Sequence, residues 1–546
     1  MKKHVVIYDT TLREGSQCVG ISLTVADRIR LFNELDSLGV DFIECGLAGG
    51  SPKDDAFYRE LANIKPAHAK PVAFGATLKP YEDPEKSPMF KALIDAGTEY
   101  VTVFGKASEF QAREILGVTV DENLMMIEKT VSGLVMSGKK VFFDAEHYFD
   151  GFSGNKEYAL DCLRTALGAG AECVVLCDTN GGVLPYRQRE IIRETLREMP
   201  EIEGKFGIHA HNDSGAADYA TVEAVIAGAF MAQVAVNGWG ERCGNANLFT
   251  VVPNLTLKLG YDCIPNLEKL CSFAQRACEI SNTKMWDFSP YVGRNAFSHK
   301  AGVHIDAVCK NSAAYEHVAP ETVGNSRRIM LSEQSGRAAV IAKVGELLPK
   351  LGCDMDSAAM IIDKIKELEL GGYRFEGADA SFEMLVKQLL GIRRSWFILN
   401  TYKVVVFDND AGEKYAAKQP SQDPDNSNSM TPQVPTASAI VDVTVDGREE
   451  ITAANGIGPV DALDKALRKA LTSFYPVIGR MHLVDYKVRV LESTLATASV
   501  VRVVVESSDG TNKWCTVGVS GDIIKASFDA LVDSYDFMLD NFGEKN

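Results

Sequence analysis

The chain has 546 residues, 46% of them hydrophobic and 24% charged, with a net charge of −17. That balance is ordinary for a water-soluble globular protein, and the length calls for two or three domains. The acidic excess is spread along the chain and excludes a nucleic-acid or anionic-membrane surface, which needs clustered Lys and Arg.

Twelve cysteines are sparse at this length, irregularly spaced and mostly set in apolar runs such as ECVVLCDT. With no CxxC pair, neither a disulfide scaffold nor a zinc knuckle is indicated. The opening MKKHVVIYDTTLREG lacks an apolar signal core, and no stretch approaches the roughly 18 apolar residues of a membrane span. A cytosolic (cytoplasmic) protein is therefore expected.

From the N-terminus, short β-rich apolar runs alternate with amphipathic stretches. Strands are predicted over 4–9, 41–46, 71–76, 100–105, 140–146, 172–178, 206–211 and 232–237. Helices are predicted over 24–37, 52–64, 121–137, 157–167, 187–198 and 216–227, with glycines at 39, 97, 138, 170 and 228 where they would end. Eight such units in about 250 residues predict an α/β fold, a (β/α)8 TIM barrel, over 1–260. A doubly wound sheet would want a Gly-rich phosphate turn after the first strand, and DTTLREG is not one.

Residues 261–400 read as helical linker subdomains. Residues 401–546 read as an α+β regulatory domain of order β-α-β-β-β-α, with TYKVVVFD at 401–408 joining its sheet. The Pro/Ser/Asn/Asp-rich run 419–436 reads as a flexible loop.

In a TIM barrel the chemistry collects past the C-terminal ends of the strands. Those positions carry Arg13, Glu14 and Gln17; Glu44; Glu146 and His147; Asp178 and Thr179; His209 and His211; then Glu241, Arg242 and Asn245. His-X-His on a strand puts both imidazoles on one face, because side chains alternate with period two. Taken alone, such a pair is more often core or surface histidine. At the end of the seventh strand, with Glu14 and Asn245 at hand, it reads as a catalytic divalent-metal site for Mn, Mg, Co or Zn. The metal would polarise a 2-oxo acid, Arg13 would stabilise the alkoxide, and Thr179 would donate to the substrate carboxylate. The plainer alternatives are an Arg13 ion pair with Glu14 or Asp9, and Thr179 as a helix N-cap.

DTTLREG-Q at 9–17, IHAHND at 208–213, NGWGERCGN at 237–245 and GRNAFSHKAGVHIDAVCK at 293–310 resemble, together and in order, the isopropylmalate/homocitrate synthase superfamily of metal-dependent acyltransferases and lyases. NGIGPVDALDKAL at 455–467 is similar to the regulatory domain of those synthases, so the resemblance spans nearly the whole chain. It implies Glu14, His209, His211 and Asn245 as metal ligands, although many members have Asp where this chain has Glu14. It implies Arg13 beside the keto group, Glu146 as an assisting carboxylate, and His304 as the base that takes the acetyl-CoA methyl proton. Asp306 and Tyr315 fall near positions lining the acetyl-CoA site. In the family that base comes from the partner subunit's linker, so a homodimer is implied.

FDAEHYFDGF at 143–152 and the closing FYPVIGRMHLVDYKVRVLES look most like members that take pyruvate and make citramalate, the first step of a threonine-independent route to isoleucine. Isopropylmalate synthases more often show E-D-A where this chain has Glu146-His147-Tyr148. Feedback by isoleucine at the C-terminal domain is the corresponding expectation. The rivals are 2-isopropylmalate or homocitrate synthesis, an acyl-CoA lyase and a non-catalytic metabolite sensor. Against the lyase, Val236 stands about where a catalytic cysteine would be required, and Cys243 is only two residues before Asn245.

Overall fold

The computed structural model describes residues 3–331, 335–407, 436–491 and 499–543. The chain divides into two compact units, the first comprising Met1–Phe297 with Glu316–Arg327, the second Ser298–Tyr315 with Arg328–Asn546.

The first unit is a closed parallel barrel of eight strands in sequential order. They are β1 (Val6–Asp9), β2 (Phe42–Leu47), β3 (Lys70–Ala76), β4 (Tyr100–Lys106), β5 (Lys140–Glu146), β6 (Cys173–Asp178), β7 (Phe206–Ala210) and β8 (Met231–Val234). β8 closes on β1 with Tyr8 opposite Gln233. The doubly wound alternative is thereby excluded. The crossover helices are α1 (Val25–Leu38), α2 (Pro52–Leu61), α3 (Pro88–Asp95), α4 (Val120–Met136), α5 (Tyr148–Gly154), α6 (Lys156–Gly168), α7 (Pro185–Glu198) and α8 (Ala217–Ile226). Capping boxes at Thr24–Asp27 and Thr119–Glu122 start α1 and α4, each satisfying two backbone donors that a helix end leaves orphaned.

Two cores result. A large one lies between strands and helices, while a smaller one fills the barrel itself. Inside the barrel Tyr8, Phe42, Tyr100 and Phe142 form an aromatic layer, with Phe42 centred 4.9 Å from Tyr100 and 5.2 Å from Phe142. After β8 the first unit continues through α9 (Leu248–Pro253) and α10 (Leu270–Ser281).

The second unit begins with β9 (Ser298–His299) and α11 (Gly302–Lys310), and resumes with β10 (Arg328–Ile329), which pairs in parallel with β9. Helices α12 (Arg337–Leu347), α13 (Met355–Leu370) and α14 (Asp379–Leu389) follow around their own apolar cluster. Two three-stranded antiparallel sheets complete the unit. One holds β11 (Ile398–Val406), β12 (Ala437–Val445) and β13 (Arg448–Gly456), followed by α15 (Pro459–Thr472). The other holds β14 (His482–Val490), β15 (Val501–Ser508) and β16 (Lys513–Ser520), followed by α16 (Ile523–Phe542).

β11 pairs with β12, so TYKVVV does join the C-terminal sheet. The expected order β-α-β-β-β-α lacks one strand, β13. Its sequence REEITAANG is polar and mostly exposed, as an edge strand can be, and so carries little apolar signal. The loop predicted at 419–436 falls, up to residue 435, outside the described residues.

Candidate active site

The turn after β1 is built by Asp9. Its carboxylate accepts from the Thr11 backbone N–H at 2.9 Å and from the Thr11 hydroxyl at 3.0 Å, and the Thr11 oxygen in turn accepts from Val236 N–H. This knot ties β1 to the end of β8 and aims Arg13 and Glu14 into the barrel mouth. Burial pushes the Asp9 carboxyl up to about 7.

Strand alternation does the rest. Glu44, Lys106, Asp144, Glu146, Cys177, His209 and Gln233 sit on inward positions of their strands, with Thr179 and His211 continuing the same alternation just beyond β6 and β7. Donor atoms of Glu14, His209 and His211 all lie within 4.8 Å of one another, and the three residues are buried. His209 Nε2 is 3.3 Å from His211 Nε2, and His211 Nε2 is 3.4 Å from Glu14 Oε1. Burial pushes the His209 imidazole down to about 3, with His211 adding to the effect. Burial likewise lowers His211. Burial alone would raise Glu14, but Arg13, His209, His211 and Arg242 outweigh it and hold its carboxyl below the usual range. Neutral imidazoles beside an ionised carboxylate are the protonation states a cation requires.

Asn245 arrives on the loop after β8. Its amide N–H donates to Trp239 O at 3.1 Å, while its Oδ1, like His211 Nδ1, is buried with no hydrogen-bond partner among the described residues. A backbone bridge links His211 to Asn245. Gly244 makes the loop possible, since it lies at φ 87° and a Cβ there would overlap the Gly238 carbonyl oxygen. Three donors around one point fit a divalent cation, and this cluster could bind one.

Arg13 stands alongside. It is ion-paired with both Glu14 and Glu44, and its guanidinium lies 3.8 Å from the Phe74 ring centre. The Glu14 pairing anticipated as the plainer alternative is present, while the Glu44 partner was not foreseen. Thr179 Oγ1 accepts from His147 N–H at 2.9 Å, which leaves the hydroxyl hydrogen available. It does not cap the following helix, whose N-cap is Leu184. Glu146 pairs with Lys106 at 2.5 Å. Beside them opens a pocket of about 420 Å³ lined by Ser108, Gln111, His147, Asp150, Asn155 and Asn180 among others.

His304, Asp306 and Tyr315 lie in the second unit. His304 is exposed on α11 and its ring stacks on Tyr315 at 4.1 Å. Asp306 pairs with Lys310 at 2.6 Å.

Three site residues escaped the reading of the sequence: Lys106, Asp144 and Gln233. Each is a polar residue at an inward strand position, two positions from a rim residue or level with one. Counting by twos from Glu146 reaches Asp144 and would have found it.

The family model described as HMGL-like matches residues 4–276, half of the chain. A homocitrate synthase post-HMGL domain-like model matches 291–370, and the LeuA allosteric (dimerisation) domain matches 422–539. Similar relatives include the (R)-citramalate synthase of Synechocystis sp., 44% identical over 98% of this chain and 96% of that protein. That of Aquifex aeolicus is 44% identical over 99% and 98%, and that of Geobacter sulfurreducens 42% identical over 98% and 97%. With likeness running end to end and the barrel, the rim cluster and the C-terminal domain all in place, the chain belongs to the HMGL-like family, in the branch of the (R)-citramalate synthases.

Proposed function

We propose that the chain condenses acetyl-CoA with pyruvate and hydrolyses the thioester, giving citramalate and CoA. The observation that carries this reading is the convergence of Glu14, His209 and His211 on one point with Arg13 beside it, in a chain of this family.

Glu14, His209 and His211 would hold a divalent cation, with Asn245 Oδ1 as a further donor; Mn²⁺, Mg²⁺, Co²⁺ and Zn²⁺ suit this N/O set. Such a cation supplies Lewis-acid polarisation of the keto group. Arg13 donates to the keto oxygen as negative charge develops there. Thr179 donates its free hydroxyl hydrogen to the pyruvate carboxylate. Glu146, next to the 420 Å³ pocket that gives the thioester arm room, assists removal of a methyl proton. His304 acts as the base, contributed with Asp306 and Tyr315 by the 261–400 region of a second copy of the chain. The acetyl carbon so freed bonds to the keto carbon, and water then cleaves the C–S bond to release the CoA thiol.

The dimerisation-domain match supports a homodimer and an effector site in 401–546, with isoleucine as the effector. The test is CoA thiol release from acetyl-CoA with pyruvate, 2-oxobutyrate, 2-oxoisovalerate and 2-oxoglutarate in turn, with and without isoleucine. Pyruvate is expected to be preferred and isoleucine to inhibit. A preference for 2-oxoisovalerate or 2-oxoglutarate would move the chain to the isopropylmalate or homocitrate reading.

A further inference from the structure

A hydrogen-bonded chain crosses the barrel behind His209. His209 Nδ1 lies 2.8 Å from Gln233 Oε1, and Gln233 Nε2 donates to Asp144 Oδ1 at 3.2 Å. The three residues come from β7, β8 and β5, and all are buried, Gln233 at 1% exposure. A primary amide has one accepting end and one donating end. With its N–H turned to Asp144, Gln233 has only its carbonyl oxygen left for His209, and a carbonyl oxygen can only accept. The proton of the neutral His209 ring therefore belongs on Nδ1, which leaves the lone pair on Nε2, the atom facing His211 and Glu14.

His211 has no such anchor. Its Nδ1 is buried and has no hydrogen-bond partner among the described residues. Of two ligand candidates on one strand face, one has its tautomer set by the fold and the other does not.

We propose that Gln233, oriented by Asp144, is a positioning residue that locks His209 as its Nδ1–H tautomer and so presents the Nε2 lone pair to the cation. The proposal rests on the cation reading of this site. It concerns this chain's own choice of a neutral amide behind the ligand. A carboxylate in that place would add another acid to an interior where burial and the charge of Glu44 already push the Asp144 carboxyl up. An amide transmits the orientation and leaves the charge unchanged.

The experiment measures affinity of the full-length chain for Zn²⁺ and for Mn²⁺ by competition with a chromogenic chelator. Native chain, Gln233→Leu and Asp144→Asn are compared, with the melting temperature of each metal-free protein recorded. Outer partners of metal-binding histidines are worth about 10–100-fold in affinity. Gln233→Leu is expected to bind 10–100-fold more weakly, and to regain most of its turnover at saturating metal. Asp144→Asn, whose amide can turn either face to Gln233, is expected to lose several-fold and serves if Gln233→Leu does not fold. Independently, ¹⁵N spectra of the metal-free chain, with His209 assigned by its loss in His209→Gln, are expected to show the Nδ1–H form.

Native-like affinity in both variants, or an Nε2–H form of His209, overturns the proposal. If the native chain itself binds neither ion, the cation reading falls and this one with it, an outcome plainly different from equal binding by all three proteins.

Discussion

Lys106 Nζ lies 2.5 Å from a carboxylate oxygen of Glu146, directly across the β4–β5 ladder that pairs these two residues. Both side chains are mostly buried at the mouth of the barrel, 15% and 21% exposed. A carboxylate so placed depends on its cation partner for position and for charge compensation. Lys106→Met is therefore expected to lower turnover by about 10–100-fold, up to the lower end of the roughly 10²–10⁴-fold that general acid–base groups contribute. Lys106→Arg is expected to retain most of it. Equal losses in the two variants would show that a positive charge at this position is not sufficient.

Metal removal gives the second expectation. Chelator-treated protein is expected to lose turnover and regain it on adding back Mn²⁺, Mg²⁺, Co²⁺ or Zn²⁺. His211→Ala is expected to lose more than about 100-fold, since even an outer partner of a ligand is worth 10–100-fold. A ligand at 100 times its Kd stabilises a fold by about 2.7 kcal/mol, so the native melting temperature is expected to rise with added ion while that of His211→Ala stays put. A metabolite sensor without catalysis would show the thermal shift and no turnover at all.

The third concerns pH. His209 titrates near 3 in the fold and near 6.5 when unfolded, so the unfolded chain binds the extra proton between those values. Stability of the metal-free protein from this group is thus intact above about 6.5 and falls as pH drops toward 3. The slope is at most on the order of 1.4 kcal/mol per pH unit. Asp9, raised to about 7, and Asp178, raised to about 6, act in the opposite sense. Urea unfolding of native and His209→Gln protein across pH 7 to 4 isolates the histidine, with the native protein expected to lose ground to the variant as pH falls.

The fourth tests the loop that delivers Asn245. Gly244→Ala places a Cβ at φ 87° against the Gly238 carbonyl, so the loop must shift. A loss of about 1–3 kcal/mol is expected, together with weakened cation binding, both readable by calorimetry. Unchanged affinity would remove Asn245 from the donor set.

The fifth concerns the C-terminal domain. Cutting after Val406 would strip β12 from β11 and remove Asp540 and Asp536, which pair with Lys387 and Arg393 at 2.5 Å and 2.6 Å. The truncated chain is therefore expected to aggregate or to lose the helical part of the second unit, as followed by light scattering. A well-behaved monodisperse fragment would show that 298–406 is self-sufficient.

Much of the barrel was legible because most strands are buried apolar runs and helices such as α1, α4 and α7 have a clear polar–apolar period, although α8 is buried nearly all round. Two short helices were not. α3 has eight residues and opens on Pro88, and α5, YFDGFSG, contains two glycines and follows His147 in a left-handed conformation, so neither offers a full period to read. β13 was missed for want of apolar residues, although Asp446-Gly447, both at positive φ, is the two-residue turn that announces a hairpin. At the site, Glu14, His209 and His211 were legible because local motifs carry them. Lys106, Asp144 and Gln233 were not, since each acts only through partners brought in from other strands.

The aromatic layer of Tyr8, Phe42, Tyr100 and Phe142 has one more consequence. Lys70 and Lys140 cap it from the far side, 5.1 Å and 5.0 Å from the Tyr100 ring centre. The barrel is therefore a vessel with a floor. The closed bottom leaves the C-terminal rim as the barrel's open side, and there the substrates of the proposed reaction would meet Glu14, His209 and His211.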